Sequence, residues 1–493
     1  MAVVCFFVYV RKSCLLFMEH TFILEHIFSI LYWLNAIVAI GITVSVVLDN
    51  RNPVTTFAWI FVLLFIPCLG LLLYFFFGRD TRRRRYIRRR LRERIGQKRI
   101  FTTVSARQAL PSKYTNIITY LEKSSNAYLT TDSSVEPIYD CVQFSRQLLK
   151  AIAAAKRHVH IQFYIFEDDD FGNAVMDALV AKVAEGVEVR LIYDSVGCFS
   201  VKSSFFGRLR EAGGDVVPFL KVHFPLLTNK VNYRNHRKLV VVDGSLAFIG
   251  GCNIAVRYLR GINGGSWRDT MLAVRGRGVY GIQSSFLLDW YFASGAIVSG
   301  SGYFLEQQAV GSASMQVMTS NPVGEWRSIP GALVAVLMNA KEYVYLQTPY
   351  LMPSESVLAA MQNAALAGVD VRLMIPARSD SRLADYASYS YLGVLMRAGV
   401  KVYLYEKGFL HAKTLVSDNA LGVVGSANLD FRSFSYNFEI CAYVYDEALA
   451  RSMHGQFMRD VSNSRQLTLR EYESRGLYRR LLESGARLFS PLL

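Results

Sequence analysis

The feature that most limits how this chain can fold is a chemical pattern repeated at a fixed interval. His236-x-Lys238, Asp243 and Gly250-Gly251-x-Asn253 return as His411-x-Lys413, Asp418 and Gly425-Ser426-x-Asn428. Every matched pair (236 and 411, 238 and 413, 243 and 418, 250 and 425, 253 and 428) lies 175 positions apart. The flanks repeat too. Gly186-Val187-Glu188-Val189-Arg190-Leu191 returns as Gly368-Val369-Asp370-Val371-Arg372-Leu373, and Gln162 and Gln347 hold corresponding places. A single His-x-Lys-x4-Asp is expected by chance in about a few per cent of chains this long. Two in register, each with its glycine and asparagine, are not chance. So long a unit present twice is a duplicated domain rather than a solenoid, whose repeats run to ~20–50 residues. Duplicated domains pack about a pseudo-twofold axis, and what they share sits on that axis.

From about residue 126 short β-branched and aromatic runs alternate with helical patterns, which predicts an α/β class. Strands are expected at His158–Ile165, Val187–Tyr193, Asp215–Phe219 and Lys238–Val242, with helices at Asn173–Glu185 and near Ser203–Ala212. The second half repeats this order: strands at Tyr343–Thr348, Val369–Ile375 and Lys401–Tyr405, and a helix at Ser356–Ala367. The Gly/Ser-rich stretches Ser299–Gly302 and Gly311–Ser314 mark the expected seam, giving domains at 126–305 and 306–493.

The residue types in the motif define a chemistry. His and Lys at i and i+2 on an extended strand share a face. Two copies meeting on an axis present two imidazoles, two cations and the side-chain amides of Asn253 and Asn428, with Ser426 beside them, around one anionic centre. That is a phosphate site needing no metal. The lysines and amides stabilise the phosphoryl oxygens, one histidine attacks phosphorus and the other protonates the leaving oxygen. A catalytic imidazole needs an acceptor on its other nitrogen, and Asp269 and Glu439 are the candidates. Asp243 and Asp418 belong to the motif and are counted in the catalytic set. Yet they stand at strand ends before turns, where fixing local structure is the expected role. His158, His160, His223 and His454 read as core histidines, and Glu167-Asp168-Asp169-Asp170 as a solvated loop without calcium-loop spacing. The absence of Walker A, HExxH and GxSxG patterns argues against nucleotide-driven, zinc-hydrolytic and serine-hydrolase chemistry.

The N-terminal part is of another kind. Of 493 residues 52% are hydrophobic and 19% charged, which excludes a disordered chain. Ile27 to Leu48 and Val54 to Phe77 carry no charge, and each reaches the ~20 residues needed to span a bilayer. A five-residue polar turn separates them, so 27–78 is predicted to be a transmembrane hairpin. The formal charge of +16 is concentrated just beyond it. Arg79 to Arg99 holds 12 Lys/Arg against two acids, which places this side in the cytoplasm and against anionic headgroups. Residues 79–125 form a basic juxtamembrane linker. Residues 1–26 form a tail in which 1–17 fit poorly, so that Met18 is a candidate start. Seven cysteines without a CxxC pair read as buried or idle thiols.

These residues make the chain resemble the phospholipase D superfamily, and within it bacterial cardiolipin synthases. The resemblance extends to Asn50-Arg51-Asn52-Pro53, Asn232-Tyr233-Arg234-Asn235-His236-Arg237-Lys238, Trp267-Arg268-Asp269, Gln347-Thr348-Pro349-Tyr350, Asn437-Phe438-Glu439 and Ser490-Pro491-Leu492-Leu493. It implies two tandem α/β/α domains with the active site at their interface. It also implies conversion of two phosphatidylglycerol molecules into cardiolipin and glycerol through a phosphatidyl-histidine, without cofactor or metal, at a bacterial inner membrane. By the same resemblance His236 and His411 carry the transfer, Lys238, Lys413, Asn253 and Asn428 bind the phosphate, and Asp269 and Glu439 orient the histidines. The alternative is a phospholipase D that hydrolyses or transphosphatidylates other lipids. A nucleic-acid substrate is not expected, because the charge is confined beside the hairpin. The apolar loop Val222–Leu227, with Phe224 and Leu226, is a candidate lip for an acyl chain, and the C-terminal stretch from Arg475 is either interfacial or packed.

Overall fold

The computed structural model describes residues 112–221, 233–262 and 264–493. In the N-terminal part it describes 36–48, 53–66, 69–74 and the isolated positions 26, 29, 30, 33, 34 and 78. The expected start at Met18, the basic run 79–99 and the loop Val222–Leu227, His223 included, lie outside these residues. The chain divides into an N-terminal unit, Met1–Thr81, and a unit carrying 82–225 and 230–493.

In the N-terminal unit residues 36–48 and Pro53–Phe65 are helical. Ile37, Val44, Phe57 and Phe65 point outward and are more than half exposed. Among the described residues no helix is long and apolar enough to cross a membrane, so the hairpin is not established by the structure.

The larger unit is built on one mixed sheet that reads almost the same from either end. From one edge inward run Asp215–Phe219, Glu188–Asp194, His158–Phe163, Leu239–Val242, Leu246–Gly250, Met271–Arg275 and Thr130–Ile138. From the other edge, inside the extra strand Ser464–Leu467, run Lys401–Tyr405, Asp370–Pro376, Tyr343–Gln347, Thr414–Ser417, Leu421–Gly425, Asn437–Tyr445 and Ala313–Ser320. The halves join where Thr130–Ile138 pairs antiparallel with Ala313–Ser320. Each of the ten expected elements appears, shifted by at most three residues at an end. The outer strands of each half are parallel, as crossover helices require.

Three apolar cores follow. One lies in the first half, between the sheet and the helices Cys141–Ala153 and Asp170–Ala184. A matching one lies in the second half. The third is shared, and in it Leu239, Ile249 and Leu272 join Tyr345, Val416 and Ile440 around the helices Val279–Ser294 and Glu447–Val461. The helix Thr115–Ser125, within the stretch read as linker, buries Ile117, Ile118 and Leu121 in the second-half core. The C-terminal helix Leu477–Leu488 packs on Arg382–Arg397 through one face and leaves Leu477, Tyr478, Leu481 and Leu488 exposed, so it is packed and yet presents an apolar stripe.

The reading of all cysteines as free thiols needs correction. Cys141 and Cys252 are joined in a disulfide, while Cys198 and Cys441 are buried thiols. The partners lie 111 residues apart. What brings them together is the packing of the helix Cys141–Ala153 on the turn after Leu246–Gly250, which spacing alone does not reveal.

Candidate active site

Two short parallel pairings tie the halves together, one branching from the main sheet and one apart from it. Arg234–Asn235 pairs with Asn437–Phe438, and Gly408–Leu410 pairs with Ser266–Arg268. Each therefore sets the residues leading into one motif histidine beside those leading into the other half's carboxylate. The backbone N–H of His236 donates to Phe438 O at 2.9 Å, and that of His411 donates to Arg268 O at 2.8 Å. The side chains follow. His236 Nδ1 lies 3.0 Å from both Glu439 carboxylate oxygens, and His411 Nδ1 lies 2.6 Å from Asp269 Oδ2. The two acids named from sequence are the ones that meet the imidazoles, each bonding to the histidine of the other half.

The carboxylates are in turn fixed. Glu439 also accepts from Ser426, Ser433 and Asn437, and Thr270 N–H donates to Asp269 at 2.8 Å. A Cβ on Gly251 would overlap the Asp269 carboxylate, so that glycine lets the turn close on the acid, whereas Ser426 in the matching place bonds to Glu439. Beneath lie two buried ion pairs, one within the first half and one across the halves. Arg237 binds Asp289 at 2.6 Å and donates to Glu439 O, while Arg268 binds Asp460 at 3.0 Å and donates to Asp269 O. Gln162 and Gln347, the repeated glutamines, donate to these same aspartates at 2.7 and 2.8 Å. Sequence reasoning missed this layer, though the glutamine correspondence was its signal.

Lys238 and Lys413 each donate to the carbonyl of their own motif histidine, at 2.6 and 2.5 Å. Each lysine acts electrostatically on the histidine of the other half, so the two motifs form one centre. Burial pushes His236 down to about 4, with Lys238 adding to the effect and Glu439 opposing it. Burial and then Lys413 push His411 down to about 3. Burial works against ionisation of Asp269 and Glu439, but Lys413 and the bond to His411 hold the first below its ordinary value. His236, Lys238 and the bond from Ser426 do the same for the second. Burial brings Lys413 down to about 8 and lowers Lys238 well below the usual lysine value. The resting site thus holds neutral imidazoles donating from Nδ1 to carboxylates, which leaves Nε2 with a lone pair.

Asn253 and Asn428 flank the centre but are partly engaged. Asn253 accepts from Ile165 N–H and donates to Tyr258 Oη at 2.6 Å, and Asn428 donates to Asp430 at 2.9 Å. Each amide keeps one further N–H. Aromatic rings wall the histidines: Tyr164 lies edge-on to His236 at 5.0 Å, and Tyr258, Trp267 and Phe409 surround His411.

Asp243 and Asp418 are not brought to this centre. Each stands beyond its strand in a left-handed turn, with φ of +54° and +50°. Asp243 accepts from the N–H groups of Lys156, Arg157 and His158, and Asp418 from those of Lys341, Glu342 and Tyr343. Five residues at ~3.3 Å rise put each roughly 16 Å from its motif lysine. Of the histidines read as core, His158 and His160 are buried against Tyr303, while His454 is half-buried against Tyr343 and Tyr345. Among the described residues one set, Cys141, Cys252 and Asp269, has metal-ligand atoms close together. Its sulfurs are bonded to each other and its carboxylate holds His411, so it offers no ligand set.

Comparison with known proteins agrees with this geometry. The sequence model described as "Cardiolipin synthase, PLD-like domain" matches residues 148–266 and 333–461, and one described as "Phospholipase_D-nuclease N-terminal" matches 37–79. The chain is 38% identical over 478 residues to the major cardiolipin synthase ClsA of Bacillus subtilis, covering 94% of this chain and 98% of that one. It is also 38% identical over 483 residues to the cardiolipin synthase of Listeria innocua, covering 96% and 100%. Its fold is similar to that of phosphatidylserine synthase from Haemophilus influenzae, with a TM-score of 0.60 at 13% identity over 77% of this chain and 100% of that one. The chain belongs to the cardiolipin synthase family of phospholipase D-like proteins.

Proposed function

We propose that the protein is a membrane-bound cardiolipin synthase that transfers a phosphatidyl group between two phosphatidylglycerol molecules. Nε2 of one histidine attacks phosphorus, the bond to the headgroup glycerol breaks, and the second imidazole, protonated once the anionic phosphate is bound, gives its proton to the departing oxygen. The free hydroxyl of a second phosphatidylglycerol then attacks phosphorus. The P–N bond breaks and the hydroxyl proton passes to the second imidazole, giving cardiolipin and glycerol. Lys238, Lys413, Asn253 and Asn428 stabilise the phosphoryl oxygens, with Ser426 acting through Glu439. One phosphodiester replaces another, so no nucleotide need drive the step.

The observation that carries this reading is the convergence of two carboxylate-held imidazoles and two lysines on one centre. Attachment to the membrane is part of the proposal. It is supported by the uncharged stretches 27–48 and 54–77, the outward apolar side chains of 36–48 and Pro53–Phe65, and the basic run after them. In this reading the catalytic unit faces the cytoplasm of a bacterial cell and meets phosphatidylglycerol in the inner leaflet.

The test is lipid mass spectrometry on purified protein in phosphatidylglycerol vesicles, with His236→Ala and His411→Ala alongside. The expected result is cardiolipin with matching free glycerol, lost in both variants. Phosphatidic acid as the main product would identify a hydrolytic phospholipase D instead.

A further inference from the structure

The two halves of the centre also differ just before the motif histidines. Residue 234, two before His236, is arginine, and the place 175 residues on is Phe409. Asn235 and Arg237 both reach Asp289, so residues 234, 236 and 238 alternate to the opposite side. Arg234 is only 3% exposed, yet its Nη1 and Nη2 have no hydrogen-bond partner. The acid whose charge reaches it, Asp194, spends its oxygens on the N–H groups of Val196, Gly197 and Asn235. A second cation, Arg432, lies close enough to oppose it. Tyr164 connects this pair to the centre: both arginine charges act on it, it lies edge-on to His236, and Lys238 Nζ is 5.3 Å from its ring. Phe409 on the other flank packs on Trp267 and His411.

A buried guanidinium without an acceptor is costly unless a ligand supplies oxygens, and its planar fork matches two oxygens of a phosphate. The transferred phosphate is already served by both lysines. Resting on the reading above, the reaction brings in a second phosphate, one glycerol away from the attacking hydroxyl. We propose that Arg234, with Arg432 beside it, is the subsite for the phosphodiester of the acceptor lipid, which makes the site select phosphatidylglycerol over neutral alcohols and water.

The experiment compares two reactions of the full-length protein in phosphatidylglycerol vesicles: cardiolipin formation, and exchange of labelled free glycerol into phosphatidylglycerol. Both use the same donor and histidines, but free glycerol carries no phosphate. Arg234→Gln is expected to lower cardiolipin formation at least tenfold and the exchange less than about threefold. Arg234→Lys should recover part of the loss. Removing an unpaired buried cation should leave the melting temperature of the Gln variant unchanged or raised. Equal loss of both reactions, loss of neither, or a Gln variant that fails to fold would overturn the proposal. Wild-type protein performing neither reaction would overturn the proposed function itself, and that is seen before any variant is made.

Discussion

At the scale of single residues, the account depends on how each imidazole is held. Asp269→Asn and Glu439→Gln keep the shape but lose the charge and the tautomer it selects, and should lower kcat by about 10²–10⁴-fold with little change in melting temperature. Steady-state kinetics with a thermal melt checks this. Gly251→Ala drives a methyl group into the Asp269 carboxylate and should reproduce the Asp269→Asn defect. The pH dependence follows from the lysine. Lys413 has a lowered value of about 8, so its charge is full below that pH and lost as pH rises through it. KM for the lipid should therefore climb above about pH 8, while the low values of His236 and His411 keep the free imidazoles neutral down to about pH 4. The histidines and lysines were legible in sequence because the repeat presents them twice, and Asp269 and Glu439 because each follows its motif at a short interval. Their pairing was not: linear order shows that Asp269 follows the first motif and Glu439 the second, but says nothing about which half's histidine each one meets. The parallel pairings of Arg234–Asn235 and Gly408–Leu410 decide that.

At the scale of elements, the motif aspartates separate sequence pattern from chemistry. Asp243 and Asp418 each gather three backbone N–H groups where the preceding helix gives way to the next strand. Asp418→Ala should lose about 1–3 kcal/mol of stability through the unpaired donors, yet keep kcat per folded molecule within about threefold. Chemical denaturation and active-site-normalised kinetics check this, and a large kcat loss at unchanged stability would return the aspartate to the reaction. The strands and helices were readable because alternating and helical periods are strong in both halves. The Cys141–Cys252 disulfide was not readable, since it depends on how a helix packs on a turn 111 residues away.

At the scale of the whole molecule, duplication makes the site. Neither half alone can hold its own histidine, because each lends its carboxylate to the other. The shared core of Leu239, Ile249, Tyr345 and Ile440 keeps the halves in the register this exchange needs. The repeat interval announced two domains, but not that one sheet would run through both. If transfer proceeds through this composite centre, phosphorus is displaced twice, and its configuration records the number of displacements. The most direct measurement is the stereochemical outcome of transfer from a phosphorothioate analogue of phosphatidylglycerol of single configuration. Two in-line displacements through a phosphatidyl-histidine predict retention. Inversion would mean that the acceptor attacks the donor lipid directly, and would contradict the account.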